Sequence, residues 1–530
     1  MNQPAEYDYI VIGSGFGGSV AAYRLVQKGY RVAVIEMGKR YRPEDFPKTN
    51  WNLRKSIWMP RFGLYGIQAL SLLQHVLILH GSGVGGGSLV YANQLIMPHD
   101  EIFQKDEWGQ GDWKKRLQPH FHEASRMLGA VECPGVGNAD KVLQEVGLEL
   151  RQEDTFHINP VGVFFGEPGK TVSDPFFNGE GPDRTGCKLC GACMVGCPYG
   201  SKNTLDQNYL YLAEKLGVEI FPELEVTAVI PQDGRYLLKT RQSTGLRLNK
   251  KTFSAHSVVF SAGVMGTVKL LMNCKRKGYL PHLSDRLGDY VRTNSEAILA
   301  VDSGDKTRDW NDHIAITSGI YPDDNTHIEL VRYNKGSDVM YGLATVLTEG
   351  GGSIPRQLRF IGSIFRHPLQ FLKSLWIFGK GQRMTTILAM QSSENFLRLV
   401  FKRRWWRLGG RSLNSELPAS QGKRIPSYIP VANEVARRMA AKMDGSAQGS
   451  WFEVLLDAPT TAHILGGCIM ADSAENGVVD TAGRVFGHAN LYIADGSVVP
   501  VNLNVNPSLT ITALAEYFLS QVPTNENSRP

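Results

Sequence analysis

The 530-residue chain is 42% hydrophobic and 20% charged, with 56 glycines, seven cysteines and a net charge of +6. That is a globular composition, long enough for two domains and a large core. The longest apolar stretch, Ile67 to Leu79, contains Gln68, Ser71, Gln74 and His75 and is too short and too polar to span a bilayer. An odd number of cysteines and no visible leader argue against a disulfide framework and for a cytoplasmic protein with reduced thiols.

In chain order, the first predicted element is a buried strand, Tyr9-Ile10-Val11-Ile12, followed by Gly13-x-Gly15-x-x-Gly18 and a helix through Val20 to Leu25. A second strand, Val32 to Ile35, ends on Glu36. Strand, glycine turn, helix, strand and acid in that order form a dinucleotide-binding βαβ unit. Gly13 allows the tight turn, Gly15 admits a pyrophosphate, Gly18 lets helix and strand pack closely, and Glu36 accepts from a ribose. A second glycine cluster, Gly81 to Asn93, follows Val76-Leu77-Ile78-Leu79 and implies close backbone approach to a second diphosphate or a flavin. Residues 110–130 read as a helix, and the Gly-, Pro- and Cys-rich segment between Gly162 and Gly200 as loops. Another helix is expected over Leu205 to Leu216, with strands at 218–221, 225–230 and 257–263. From Asn294 to Trp451 alternating patterns indicate antiparallel strands. Arg398 to Leu408 reads as strand and turn, its aromatics packing on the sheet. Leu491 to Ala494 reads as a strand leading into Asp495-Gly496. Asn506-Pro507-Ser508 then opens a helix from about Leu509 to Leu519, whose N-terminus suits a flavin carbonyl.

Taken together, Gly13 to Glu36, Gly81 to Asn93, Ser261-Ala262-Gly263, Thr461-Ala462-His463-Ile464-Leu465-Gly466-Gly467 and Asp495 to Ala513 resemble the glucose–methanol–choline family of FAD oxidoreductases. Within it the likeness is to the cholesterol oxidase branch in its mycobacterial form. Gly83 to Leu89, Arg292-Thr293-Asn294-Ser295-Glu296 and Thr326-His327-Ile328-Glu329 carry that finer likeness. The resemblance implies an α/β fold. A Rossmann-like FAD-binding domain is drawn from residues 1–120, 200–293 and 455–530. Residues 121–199 form a Cys-rich connecting or lid region, and residues 294–454 form an α+β substrate domain on an antiparallel sheet. It implies FAD-dependent oxidation of a 3β-hydroxysteroid to the ketone, with Δ5→Δ4 double-bond isomerisation as an associated step. The substrate is then a hydrophobic alcohol and the electron acceptor O2 or a carrier. Gly13, Gly15, Gly18 and Glu36 would hold the ADP half, Val226 the adenine through its backbone, and Gly85, Gly86, Ser88, Asn93, Asp495 and Gly496 the flavin half. His463, with a side-chain pKa near neutrality, and Asn506 would handle the alcohol oxygen. Glu329 would move a proton from C4 to C6, which calls for a raised pKa. The family's covalent flavin link falls near Ile78, with His80 out of register, so the FAD is expected to be non-covalent.

Two features lie outside that core assignment. Cys187-x-x-Cys190-x-x-Cys193-x-x-x-Cys197-Pro198 has iron–sulfur spacing, but no second motif accompanies it, so a thiol-rich loop is favoured over a cluster. Between Gly350 and Arg411 stand 12 Lys or Arg and one acid, Glu394, interleaved with large apolar residues. Basic and apolar residues at helical spacing over 355–383 suit either an interfacial membrane segment or a helix packed on the protein. Nucleic acid is a poor match, because no recognition motif accompanies the charge. Two other functions fit the same residues: a long-chain or terpenoid alcohol dehydrogenase feeding a respiratory acceptor, and a membrane-docking redox-sensing flavoprotein.

Overall fold

The computed structural model describes residues 5–245, 249–403, 410–419 and 424–526. Its N-terminal strand, Ala5–Ile12, leads through the glycine turn into the helix Phe16–Gln27 and the strand Val32–Ile35. The two strands are parallel, with Tyr9 opposite Val32 and Ile12 opposite Ile35. They are buried on both faces, which is why their sequences are unbroken apolar runs. A Cβ on Gly13 would sit 2.4 Å from the Ser261 carbonyl oxygen, and the residue has φ +97°, so this turn requires glycine.

The pair lies inside a seven-stranded sheet. Its order is Glu219–Phe221, Val32–Ile35, Ala5–Ile12, Thr252–Phe260, Arg235–Gln242, Leu224–Gln232, and Leu491–Ile493 runs parallel to Thr252–Phe260. A parallel centre with an antiparallel edge is the Rossmann-like layout expected from the sequence. Three distant parts of the chain therefore build one layer. The helix Phe16–Gln27 packs on the last helix, Ser508–Ser520, and on Trp113–Met127 through Arg24, which pairs with Glu516 at 2.7 Å and Glu123 at 2.5 Å.

The second layer is a seven-stranded, wholly antiparallel sheet. Its order is Ala344–Val346, Ser446–Ser450, Ala297–Asp302, Met384–Gln391, Thr326–Val331, Ser318–Asp323, His157–Ile158. Period-two alternation divides its faces. Leu299, Val301, Ile328, Leu330 and Ile387 pack under the helices Asn138–Glu149 and Pro430–Lys442. Ile298, Ala300, Val331 and Leu388 point the other way, toward the nucleotide layer. The helix Asn138–Glu149 and the strand His157–Ile158 come from residues 121–199, read above as a connecting region, yet they belong to this second layer. Arg398–Arg403 and Arg411–Glu416 form a separate hairpin. The turn expected after Arg403, with Trp405 and Trp406, lies outside the described residues.

Candidate active site

Between the layers runs one continuous cavity of about 1010 Å³. Gly13, Gly15, Glu36, Gly86, Val226, Asp495 and Gly496 line one part of it, and Ile298, Val331, Tyr333, Met340, Leu388 and Phe452 another. His463 and Asn506 stand where the two parts meet the last helix, beside Pro507 and Ser508.

The first part fits FAD. No atom lies within 4 Å of where a Gly15 Cβ would stand, so the backbone is open to the cavity there. Neither the helix beginning at Phe16 nor the one beginning at Ser508 has a side-chain cap, which leaves their N–H groups free for phosphate and ring oxygens. Glu36 is buried, accepting from the Ser14 hydroxyl at 2.7 Å and the Gly38 N–H at 2.7 Å. Burial pushes its carboxyl pKa upward, and those donors partly oppose the rise. Val226 sits at a β-bulge in the strand Leu224–Gln232. Asp495 accepts from Thr267 and Ser497, each hydroxyl at 2.5 Å, at the end of the strand Leu491–Ile493. Four other residues named from the sequence lie off the wall. A Gly18 Cβ would meet the Gly13 carbonyl oxygen at 2.1 Å, so Gly18 serves helix–strand packing. Gly85 donates its N–H to Ser14, and Ser88 bonds the Gly85 carbonyl at 2.7 Å and the Leu205 N–H at 3.0 Å. Asn93 is buried with φ +71°, its amide against the Cys193 thiol. His80 lines the cavity, 3.0 Å from the Ser71 hydroxyl, and burial lowers its pKa to about 4, so it is neutral.

The ionisable cluster is tighter than the sequence suggested. His463 Nδ1 lies 2.6 Å from a carboxylate oxygen of Glu296, whose other oxygen accepts the Ala462 N–H at 2.8 Å. Glu296 is fully buried. Nδ1 therefore carries the proton, and Nε2 is turned toward Asn506, 3.4 Å from its amide nitrogen. Burial by itself would lower the His463 pKa, but the negative charges of Glu296 and Glu329 outweigh it and hold it above the ordinary value. Glu329 is fully enclosed behind Asn506, whose amide donates to it at 3.1 Å, while Asn159 donates to its other oxygen at 2.8 Å. Burial raises the Glu329 pKa to about 7 against the pull of Asn506, His463 and Asn159. The Asn506 side-chain oxygen Oδ1 is buried without a hydrogen-bond partner.

Glu296 and Asn159 were assigned no role from the sequence. Glu296 lay within a quoted motif, but its partner is 167 residues away, and Asn159 meets Glu329 across 170. Of the four loop cysteines, Cys193 is buried and Cys190 exposed, and burial raises the Cys187 thiol pKa and takes that of Cys193 to about 11. Among the described residues no group of three or more His, Cys, Asp or Glu could hold a metal. The basic segment forms the helices Arg356–Arg366 and Pro368–Leu375. Phe360 anchors them on Trp451 beside the wall residue Phe452, whereas Phe365 and Leu369 are 81% and 71% exposed. No described helix is long and apolar enough to cross a membrane.

Models described as GMC oxidoreductase match residues 180–279 and 420–515, and an NAD(P)-binding Rossmann-like model matches residues 11–41. The chain is 45% identical to a cholesterol oxidase of Mycobacterium tuberculosis over 98% of its own length and 91% of the relative's. It is 43% identical to a cholesterol oxidase of Acinetobacter baumannii over 98% of its own length and 94% of the relative's. A long-chain-alcohol oxidase of Arabidopsis thaliana is 22% identical over 97% of this chain and 67% of the relative. Among solved structures, formate oxidase of Aspergillus oryzae aligns with TM-score 0.60 at 14% identity, covering 98% of each chain. Pyridoxine 4-oxidase of Mesorbium loti aligns with TM-score 0.59 at 14% identity, covering 97% of this chain and 98% of that one.

Proposed function

This chain belongs to the GMC oxidoreductase family of FAD-dependent enzymes, and from that premise we propose that it oxidises the 3β-hydroxyl of a cholesterol-like sterol to the ketone. The observation that carries the reading is the His463–Glu296 pair at 2.6 Å, set on the wall of a large, largely apolar cavity. FAD held along Gly13, Gly15, Glu36, Asp495 and Gly496 would supply the hydride acceptor and a route for two electrons to O2 or another acceptor. The protein's part is to place the alcohol and take its proton. Neutral His463 presents an unprotonated Nε2, which accepts the hydroxyl proton as the hydride leaves the carbon. Glu296 holds the ring in that tautomer and stabilises the imidazolium that forms. Asn506, which lines the cavity with its amide nitrogen 3.4 Å from His463 Nε2, keeps the alcohol oxygen beside that ring. Apolar walls exclude water and orient the fused rings.

The double-bond shift is assigned to Glu329. Its raised pKa suits a base that takes the C4 proton and returns it at C6, and access runs past Asn506, which holds it. A lipid surface is the proposed source of substrate. Helices Arg356–Arg366 and Pro368–Leu375 expose large apolar side chains among Arg359, Arg366 and Lys373, next to the cavity wall.

The test is anaerobic mixing of flavin-loaded protein with micellar cholesterol, and separately with a linear fatty alcohol. Bleaching of the visible flavin absorption by the sterol supports the assignment. Bleaching by the fatty alcohol alone would replace the substrate class, and no bleaching by either would refute it.

A further inference from the structure

The register of the second sheet acts as a ruler along the cavity. Glu329, Leu388 and Ile298 stand opposite one another across three strands, and Val331, Thr386 and Ala300 form the next row. Side chains two residues apart leave the same face, so both rows and Met384 share the face turned to the nucleotide layer. Leu388, Ile298, Val331, Thr386, Ala300 and Met384 all line the cavity. Met384 lies four residues from Leu388, about 13 Å along the strand Met384–Gln391. On the other side of the Glu329 row, the paired His327 and Met390 are fully buried and off the wall. From Glu329 the cavity therefore follows this sheet in one direction, toward Met384.

That direction fixes how a sterol would lie. Its hydroxyl sits at His463, and C4 and C6, between which Glu329 moves a proton, belong to the first two rings. Those rings cover the Glu329 row, the flavin half takes the opposite side, and the side chain on the last ring points to the Met384 end. Met194, Tyr333 and Met340 close the wall there, packed with Met384. Behind them lies a second void of about 20 Å³, which shares Met194, Tyr333, Met340 and Gln68 with the cavity and has room for about one water-sized group. Buried Asn50 backs this void, its amide donating to the Ser337 carbonyl at 3.2 Å and its side-chain oxygen accepting the Val339 N–H at 3.1 Å. Two unbranched, adaptable thioethers thus stand between the cavity and spare room. Met194 also gives the cysteine-rich loop a place in the site. The carbonyls of its neighbour Cys193 and of Leu89 in the glycine cluster both accept from the buried Lys202 ammonium, at 2.9 and 3.0 Å, which pins the loop.

We propose that Met194, Tyr333 and Met340 form the subsite for the aliphatic side chain of the sterol and set the length of chain accepted. The substrates are then sterols that keep this chain, in preference to steroids shortened at that position.

The subsite rests on sterol oxidation at His463, and the test separates the two. Steady-state oxidation is compared for micellar cholesterol, for sitosterol, whose side chain carries an extra ethyl group, and for pregnenolone, whose side chain is cut to an acetyl group. Met340→Trp fills the chain end and should lower the cholesterol-to-pregnenolone ratio of kcat/KM about tenfold or more. Met194→Ala joins the second void to the cavity and should raise the sitosterol-to-cholesterol ratio about threefold or more. A ratio that stays at the wild-type value in either variant overturns the subsite and leaves the oxidation standing, whereas a wild type that oxidises none of the three overturns both. Independently of turnover and of how the variants fold, a cholesterol analogue with a photoreactive diazirine at the end of its side chain should label wild-type peptides containing Met194, Tyr333 or Met340. Labelling confined to other peptides, or none, overturns the proposal.

Discussion

In the proposed oxidation, Glu296 would set the working pH of His463 as the base. Glu296 helps hold the His463 pKa above its ordinary value, and only neutral His463 can accept the hydroxyl proton. Activity should therefore rise with pH through a limb above about 6.5. Glu296→Gln removes the raising charge, so the limb should move to lower pH while kcat falls; an unmoved limb in the pH profile of kcat/KM would reject the pairing. His463→Gln should lower kcat by about 10²–10⁴-fold with flavin content unchanged. Glu329, with a pKa of about 7, acts as a base only when ionised, so isomerisation should strengthen as pH rises through 7. Glu329→Gln should release the Δ5 ketone in place of the conjugated one, read by the absence of enone absorption. His463, Asn506 and Glu329 were visible in the sequence through the motifs around them. Asn159 was not, because nothing near it in the chain records that it will meet Glu329.

At the level of elements, the glycine turn and the basic helices make opposite demands on sequence reading. The turn's conformation is local, written in Gly13 to Gly18, although the carbonyl that crowds Gly13 comes from Ser261. Gly15→Val adds a side chain where nothing stands within 4 Å, in a backbone conformation valine tolerates. It should abolish flavin retention while leaving the thermal unfolding of the stripped protein within about 0.5 kcal/mol of wild type. The helices Arg356–Arg366 and Pro368–Leu375 read equally well as packed or as interfacial, since periodicity names a face but not what covers it. The structure leaves Phe365 and Leu369 exposed. A Phe365→Glu/Leu369→Glu variant should lose co-sedimentation with anionic cholesterol-containing vesicles and oxidise vesicle sterol more slowly, with micellar turnover unchanged. Equal vesicle turnover would remove the docking role.

For the whole molecule, the cavity lies between two layers, and its nucleotide half draws on the first strand, the middle of the chain and the last helix. A ligand touching all three binds the folded state alone and stabilises it. FAD at a hundredfold excess over its Kd should add about 2.7 kcal/mol, seen as a concentration-dependent rise in the thermal midpoint of stripped protein. A midpoint indifferent to FAD would mean that the cofactor half is not where these residues place it.

The amino-acid order alone was enough to establish the βαβ unit, the second glycine cluster, the alternating block and the family likeness. Each of these is a matter of spacing over a few residues, governed by backbone conformation and by which face of an element is apolar. Folding was needed to bring Glu296 and Asn159 to His463 and Glu329, to carry Met194 to the cavity wall, and to turn the basic helices outward. Those contacts join residues far apart in the chain, and their energies come from burial and electrostatics that exist only once the two layers have closed on each other.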